Sequence, residues 1–509
     1  MSTVMERTAP SVGDDQARRS WAAVFALARF ETRDLLWYIP VLATLALYLG
    51  LTGWSLFNGR EGMDAFPALQ DADRATQSGS ALFGIALFVC VNRAALRSRR
   101  RGTDRQFEVL VMESWRRTVA HVLSVVPFAV MTALIVLAEF MVQALRPGAV
   151  GHGSPAELAV GPLYVLLCGA AGVLAARLIP SVFAAPVIVI GIFAFFIFVA
   201  AGTGDAEWSR WLMPVVSEAS TNTLPSELIG RPAAWHALYL TGLALLAAVG
   251  AVLVGGGRSR VLKAGAAGAV ALTLAGAVGQ SGGVSPELTA ARKQASVAPA
   301  EDETCVGRDG SKYCFFPEWT GRVGTWAGAV DRVQSLAGGS AASEQLLVRQ
   351  RVEARYGLTG DGALDPLKDS GQVTVGTRWG GNRVPEFSVA VASVLVAGTE
   401  SKGSELCDGR MVTVMWLALG GASDPMTSLR NVRLDDSTAG SSIVLAPTDS
   451  LSMSAGQTDV VRELLSRPRA EVTAAVKKNW AELTASGVTT AEVARVLGVE
   501  VPKGADECD

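Results

Sequence analysis

"RSRRRGTDRQFEVLVMESWRRT", residues 97–118, carries seven arginines. It lies between two strongly apolar runs, "SALFGIALFVCV" (80–91) and "VAHVLSVVPFAVMTALIVLAEFMVQAL" (119–145). A helix needs roughly 20 apolar residues to cross the hydrocarbon core. Short loops rich in arginine and lysine stay on the cytoplasmic side. The densest charge in the chain therefore reads as a cytoplasmic turn between two membrane spans, and the fold follows from there.

Outward from this turn the same alternation repeats. The mean hydropathy of +0.32 and the hydrophobic share of 50% are high for a soluble chain. The apolar surplus is confined to residues 34–281, whereas 282–509 read as soluble. Seven spans are expected, at Leu35–Phe57, Ser80–Val91, Val119–Leu145, Leu158–Ala176, Ser181–Ala201, Trp235–Val254 and Val261–Gly279. The second is short and borrows Asn92 to Leu96, and the seventh is rich in Ala and Gly, as tightly packed helix interfaces are. Basic residues also mark three other segments: Arg18, Arg19, Arg29 and Arg33 before the first span, Arg177 after the fourth, and Arg258, Arg260 and Lys263 after the sixth. The alternate loops are acidic, with Glu61, Asp64, Asp71 and Asp73 after the first span and Asp205, Glu207, Glu218 and Glu227 after the fifth. An odd number of crossings puts every basic segment on one side. The N-terminus is then cytoplasmic and the C-terminal domain extracytoplasmic, in the cell membrane. No cleavable signal peptide is expected.

Cysteine placement bears on that orientation. Cys90 and Cys168 fall within spans, while Cys305, Cys314, Cys407 and Cys508 lie in the tail. An even number there suits an oxidising exterior. The C-x8-C spacing suits a local hairpin bridge between Cys305 and Cys314, leaving Cys407 with Cys508, although four cysteines allow three pairings. The bland alternative is four free thiols in a cytosolic tail.

The expected organisation is therefore a polytopic α-helical membrane protein with about seven transmembrane helices and a mixed, mostly helical C-terminal extracytoplasmic domain. Residues 1–34 hold a cytoplasmic tail and an amphipathic helix with Trp21, Phe25 and Ala28 on one face; 35–256 hold six spans, 257–281 the seventh, and 282–509 the disulfide-containing domain. Residues 203–235 are expected to carry a helix dipping into the interface through Trp208, Trp211 and Met213. Residues 282–303 read as a linker, and "CVGRDGSKYCFFPEW" as strands around a turn at Asp309-Gly310. The apolar runs "EFSVAVASVLVAG" and "MVTVMWLALGG" are core elements whose period leaves helix and strand open. Further on, Pro468 opens a helix, and Thr489 or Thr490 caps the next with Glu492 in its first turn.

The chain has three histidines, none beyond residue 281, so the tail holds no HExxH and no Cys/His zinc pattern. No Walker A loop and no G-x-S-x-G occurs. No catalytic, cofactor-binding or metal-binding residue is expected, and the arginines read as topology rather than as a nucleic-acid surface. Two features remain. Glu139 sits within the third span, either lining a path or reaching for the outer interface. Inside the arginine-rich turn, Gly102 breaks a helix and Thr103 or Asp104 can cap a new one. Phe107, Leu110 and Val111 then share a face of a short surface helix fit to dock on a soluble partner.

On these residues the chain resembles a family. "RRRGTDRQFEVLVMESWRRTVAHVL" (99–123) is similar to the segment between the second and third spans of ABC-2 type transporter permeases. "ALARFETRDLLWYIPVL" (26–42) is similar to the amphipathic helix leading into their first span. The resemblance covers roughly residues 16–256; the seventh span and the large ectodomain are additions, "MESW" stands where the family often has proline, and "CVGRDGSKYCFFPEWTGRVGTWAGAVDRV" is similar to tails of some actinobacterial permeases. It implies a permease without catalysis of its own and with no cofactor in this chain. ATP and magnesium would sit in a cytoplasmic ABC ATPase subunit, gripped through a coupling helix carrying Phe107, Leu110 and Val111. A second permease chain, identical or not, would complete the dimer. The alternative is a membrane-anchored sensor or receptor acting through its ectodomain.

Overall fold

The computed structural model describes residues 12–57, 60–103, 112–202, 211–213, 223–357 and 364–502. Helix α1 (Val12–Leu36) leads into α2 (Ile39–Phe57). The break between them follows from Pro40, whose ring would strike the carbonyl four residues back. Helix α3 (Leu69–Ala95) precedes the arginine-rich turn; α4 (Ser114–Leu123) and α5 (Val126–Ala144) follow it. Pro127 interrupts α4 and α5 in the same way. Next come α6 (Pro155–Leu178), α7 (Ala184–Gly202), α8 (Ala233–Val254) and α9 (Arg260–Gln280).

Among the described residues, six helices are long and apolar enough to cross a membrane: α2, α3, α4 with α5 as one 31-residue stretch, α6, α8 and α9. The fifth expected span falls on α7, whose apolar part is Ala184–Phe195. The second span is longer than expected. It starts at Leu69 rather than Ser80, so Asp71 and Asp73, expected in a loop, belong to a helix. The small residues of α9 do what their composition implies. A side chain at Gly276 would meet the Tyr239 backbone nitrogen at 2.5 Å, and one at Gly242 the Thr273 nitrogen at 2.5 Å. The backbones of α8 and α9 therefore touch.

Helix α1 buries Val24, Ala28 and Leu35. Val24 and Ala28 pack with Ala120 of α4, whereas Trp21 and Phe25 remain exposed. The expected single apolar face is thus split: Ala28 turns to the bundle, and the aromatics turn away from it.

The C-terminal domain begins with a helix, not a linker. Helix α10 (Pro286–Val297) is capped by the Ser285 hydroxyl and buries Arg292. A four-stranded sheet follows in the order β1 (Thr304–Arg308), β2 (Ser311–Phe315), β3 (Leu347–Gln350), β4 (Gln372–Val375). Strands β1 and β2 form an antiparallel hairpin; β2, β3 and β4 run parallel. The hairpin turn uses Asp309 at φ 49° and Gly310 at φ 82°, the left-handed pair a two-residue turn requires. Helix α11 (Val323–Leu336) crosses from β2 to β3. The two apolar runs of ambiguous period are helices, α12 (Arg383–Ala397) and α14 (Arg410–Leu419), with α13 (Glu400–Ser404) between them. Trp319, Trp326 and Trp416 are the largest fully buried side chains. Pro468 stands before the helix Arg469–Lys478, and Thr489 forms a capping box with Glu492.

Cys305 and Cys314 are bridged across β1 and β2. Cys407 is also disulfide-bonded, and its expected partner Cys508 lies outside the described residues. Cys90 and Cys168 are free, as expected for cysteines within spans.

Buried carboxyls make the domain's stability depend on pH. Burial raises the pKa of Glu303, Glu386 and Glu400 above the ordinary value of 4.5. The domain has no histidine. A carboxyl raised in the folded state contributes stability that is complete below its unfolded pKa and fades as pH rises through the folded value. Lowering the pH from about 7 to about 5 is therefore expected to raise the thermal midpoint of this domain, read by fluorescence of its buried tryptophans in the full-length protein. Replacing Cys305 and Cys314 by serine is expected to cost about 2–3 kcal/mol, measured as a lower midpoint in the same assay.

Candidate functional site

The two ends of the helical bundle differ in chemistry. At one end, the loops after α2, after α5 and before α8 meet the C-terminal domain. Val150, Leu224 and Leu228 from these loops belong to the same apolar core as Trp319 and Trp326, with Phe66 and Ala68 packed against it. Charged side chains of the domain fasten each loop by its backbone. The Arg322 guanidinium, 1% exposed, donates to the carbonyls of Phe66 at 2.7 Å, Gly148 at 3.5 Å and Thr377 at 2.6 Å. Burial pushes its pKa down to about 9, so it keeps its charge at neutral pH. The Glu318 carboxylate accepts from the Ser226 amide at 3.1 Å and from the Ser226 hydroxyl at 3.1 Å. Arg292 donates to the carbonyls of Leu228 at 2.9 Å and Ile229 at 2.7 Å. Gly380 lies so close to the loop after α2 that a side chain there would meet the Gly62 carbonyl at 2.5 Å.

Beneath this cap the bundle holds a polar interior. Gln70, Asp73, Arg74, Thr76, Gln77 and Ser80 of α3 are all buried. Asp73 accepts from the amide of Ser154, the residue that opens α6, at 2.7 Å. Gln77 donates to Glu157 at 2.7 Å, and the other oxygen of Glu157 lies 3.1 Å from Arg231. The Arg231 guanidinium lies 5.5 Å from the Trp211 ring centre. Thr223 donates to Asp71, which also pairs with Arg74, and Gln70 donates to the Leu224 carbonyl at 3.0 Å. Lower in the bundle, the Tyr48 and Ser80 hydroxyls lie 3.5 Å apart. This network ties α2, α3, α6 and the 223–231 segment together. Trp211, expected to dip into the interface, is instead buried beside Arg231 and 5.5 Å from the His236 ring. The sequence carried a signal for the network. Residues 70, 73, 77 and 80 recur at helical spacing within the polar first half of α3.

Of the residues singled out in the sequence, Glu139 is half-buried on α5, and its Oε2 is buried without a hydrogen-bond partner among the described residues. Among the described residues no hydrogen bond joins it to the network around Glu157, although its charge lies near Tyr48.

The opposite end carries the arginines. Arg97–Arg100 form a final helical turn, which Gly102 closes at φ 66°. The Thr103 hydroxyl turns back to the Ser98 carbonyl at 3.2 Å, so it closes this turn. Asp104, Phe107, Leu110 and Val111 lie outside the described residues. The chain resumes at Met112 and enters α4 at Ser114, where Arg116 pairs with Glu113 at 3.1 Å. Arg97 bridges to α1 through Asp34 at 2.5 Å and Glu31 at 3.4 Å. Burial raises the pKa of Glu31, offset by the facing Arg97. Helix α1 is thus pinned at the arginine-rich end, and the C-terminal domain at the other.

Comparison of the chain with protein families, with curated proteins and with solved structures finds no match.

Replacing Arg322 by methionine leaves the Phe66 and Gly148 carbonyls buried without that donor. Two such orphaned acceptors cost about 2–4 kcal/mol. The expected result is faster amide exchange in residues 62–68 and 146–152 together, with exchange in α8 and α9 unchanged.

Proposed function

We propose that this chain is the membrane-spanning permease subunit of an ABC-2 type transporter. It has seven crossings, a cytoplasmic N-terminus and an extracytoplasmic C-terminal domain. ATP is hydrolysed by a separate subunit that grips residues 97–118, and two permease chains form the working unit. The observation that carries the reading is the placement of that segment. It includes a helix end closed at Gly102 and the start of a 31-residue apolar stretch at Ser114. A push on it is delivered to α4 and α5 with little slack. The polar interior supports the reading as well. Ionisable side chains facing the inside of a bundle mark pathways more often than they stabilise it. Closed beneath the cap, Asp73, Gln77, Glu157 and Arg231 form the outer gate of the path in this reading.

The sensor alternative rests on a cleft of about 150 Å³ in the C-terminal domain, lined among others by Arg351, Trp379, Arg383 and Glu386. Partner identity separates the two. Purified from native membranes, the protein is expected to bring an ATPase with it. Phe107→Asp combined with Leu110→Asp is expected to cut the co-purified ATPase by about tenfold or more. An unchanged complex with that double variant rules the lever out.

A further inference from the structure

We propose a binding site for the headgroup of an anionic phospholipid at the arginine-rich end, between α1 and the C-terminal end of α3. A cavity of about 550 Å³ opens there, walled by Phe30, Asp34 and Tyr38 on one side and by Arg93, Arg97, Arg100 and Arg101 on the other. Its floor is apolar: Leu35, Cys90 and Ala94 line it and are buried.

Among the described residues the charges do not balance. Asp34 is the cavity's one carboxylate among the described residues, and Arg97 engages it together with Glu31. Arg93, Arg100 and Arg101 are exposed and have no carboxylate partner among the described residues. Three guanidinium groups around one opening make a strong anion site. Their paired N–H donors match the two free oxygens of a phosphodiester.

The surroundings select a lipid over a soluble anion. The cavity sits at the elbow where α1 turns into α2, and the residues beside it are apolar and outward-facing. Trp37 is 72% exposed and Ile39 is 79% exposed. Such residues belong at the boundary between headgroups and acyl chains. A phosphate held by the arginine rim would place its glycerol over the apolar floor and its chains along α2. Basic pockets between spanning helices hold anionic headgroups by this combination of charge and apolar contact. The site needs only a bilayer around the apolar helices and stands independently of the transport reading.

The test uses full-length protein, stripped of lipid in a neutral detergent, with thermal unfolding as the readout. Phosphatidylglycerol is expected to raise the midpoint by about 3–6 °C, and phosphatidylcholine to leave it unmoved. R93Q/R100Q/R101Q is expected to abolish the shift, whereas R258Q/R260Q, on the neighbouring basic loop, retains it. Several results overturn the site: an equal shift with phosphatidylcholine, a full shift with inorganic phosphate alone, retention by the triple variant, or loss by the control pair. Should the triple variant fail to fold, native mass spectrometry of the unaltered protein decides. Preferential retention of phosphatidylglycerol over equimolar phosphatidylcholine supports the site, and equal retention overturns it.

Discussion

A buried guanidinium at the seam helps to hold the two halves of this molecule in register. Arg322 has almost no contact with water, and its donors go to main-chain carbonyls of the loops after α2 and α5 and of its own domain. Charge buried in this way is tolerated only when its donors are met. The loops must therefore be in place for the domain to complete its core, and the domain must be in place for the loops to settle. Val150, Leu224 and Leu228 enforce the same condition through apolar packing. The domain is consequently not a tethered appendage. Its core runs into the loops between the spanning helices.

That constraint orders the rest of the bundle. The tops of α3, α6 and α8 are held by backbone contacts and by the network from Asp73 to Arg231, and the arginine-rich end is held separately. There, α1 is attached through Arg97 and a small apolar cluster. In the proposed transport reading, a force applied near Gly102 and Ser114 enters a bundle whose far end is held by the C-terminal domain.

Much of this was legible in the residues. The spans follow from hydropathy because a bilayer demands long apolar helices whatever their packing. The alternation of basic and acidic loops agrees with the domain sitting on the acidic end. The hairpin at Asp309-Gly310, the cap at Thr489 and the stop at Gly102 were readable because local backbone geometry requires those residue types. The start of α3 was obscured because hydropathy counts Gln70, Asp73 and Gln77 as loop residues, whereas the fold buries them against each other. Helices α12 and α14 were ambiguous because they are buried on every side, which erases the periodic signal. The seam at Arg322 could not be read at all, since its partners are carbonyls more than 170 residues away, which no side-chain pattern betrays. Phe107, Leu110 and Val111, expected from the sequence to dock on a partner, lie outside the described residues.

The glycine contact between α8 and α9 carries a mechanical corollary. Where two backbones touch, neither helix can slide or roll without collision, so the pair behaves as one thick rod. Gln280 of α9 and His236 of α8 add a polar contact between the two helices, 3.1 Å apart, and α10 follows α9 directly into the capping domain. Any change of shape within the bundle must then be made by the remaining helices moving against this mast.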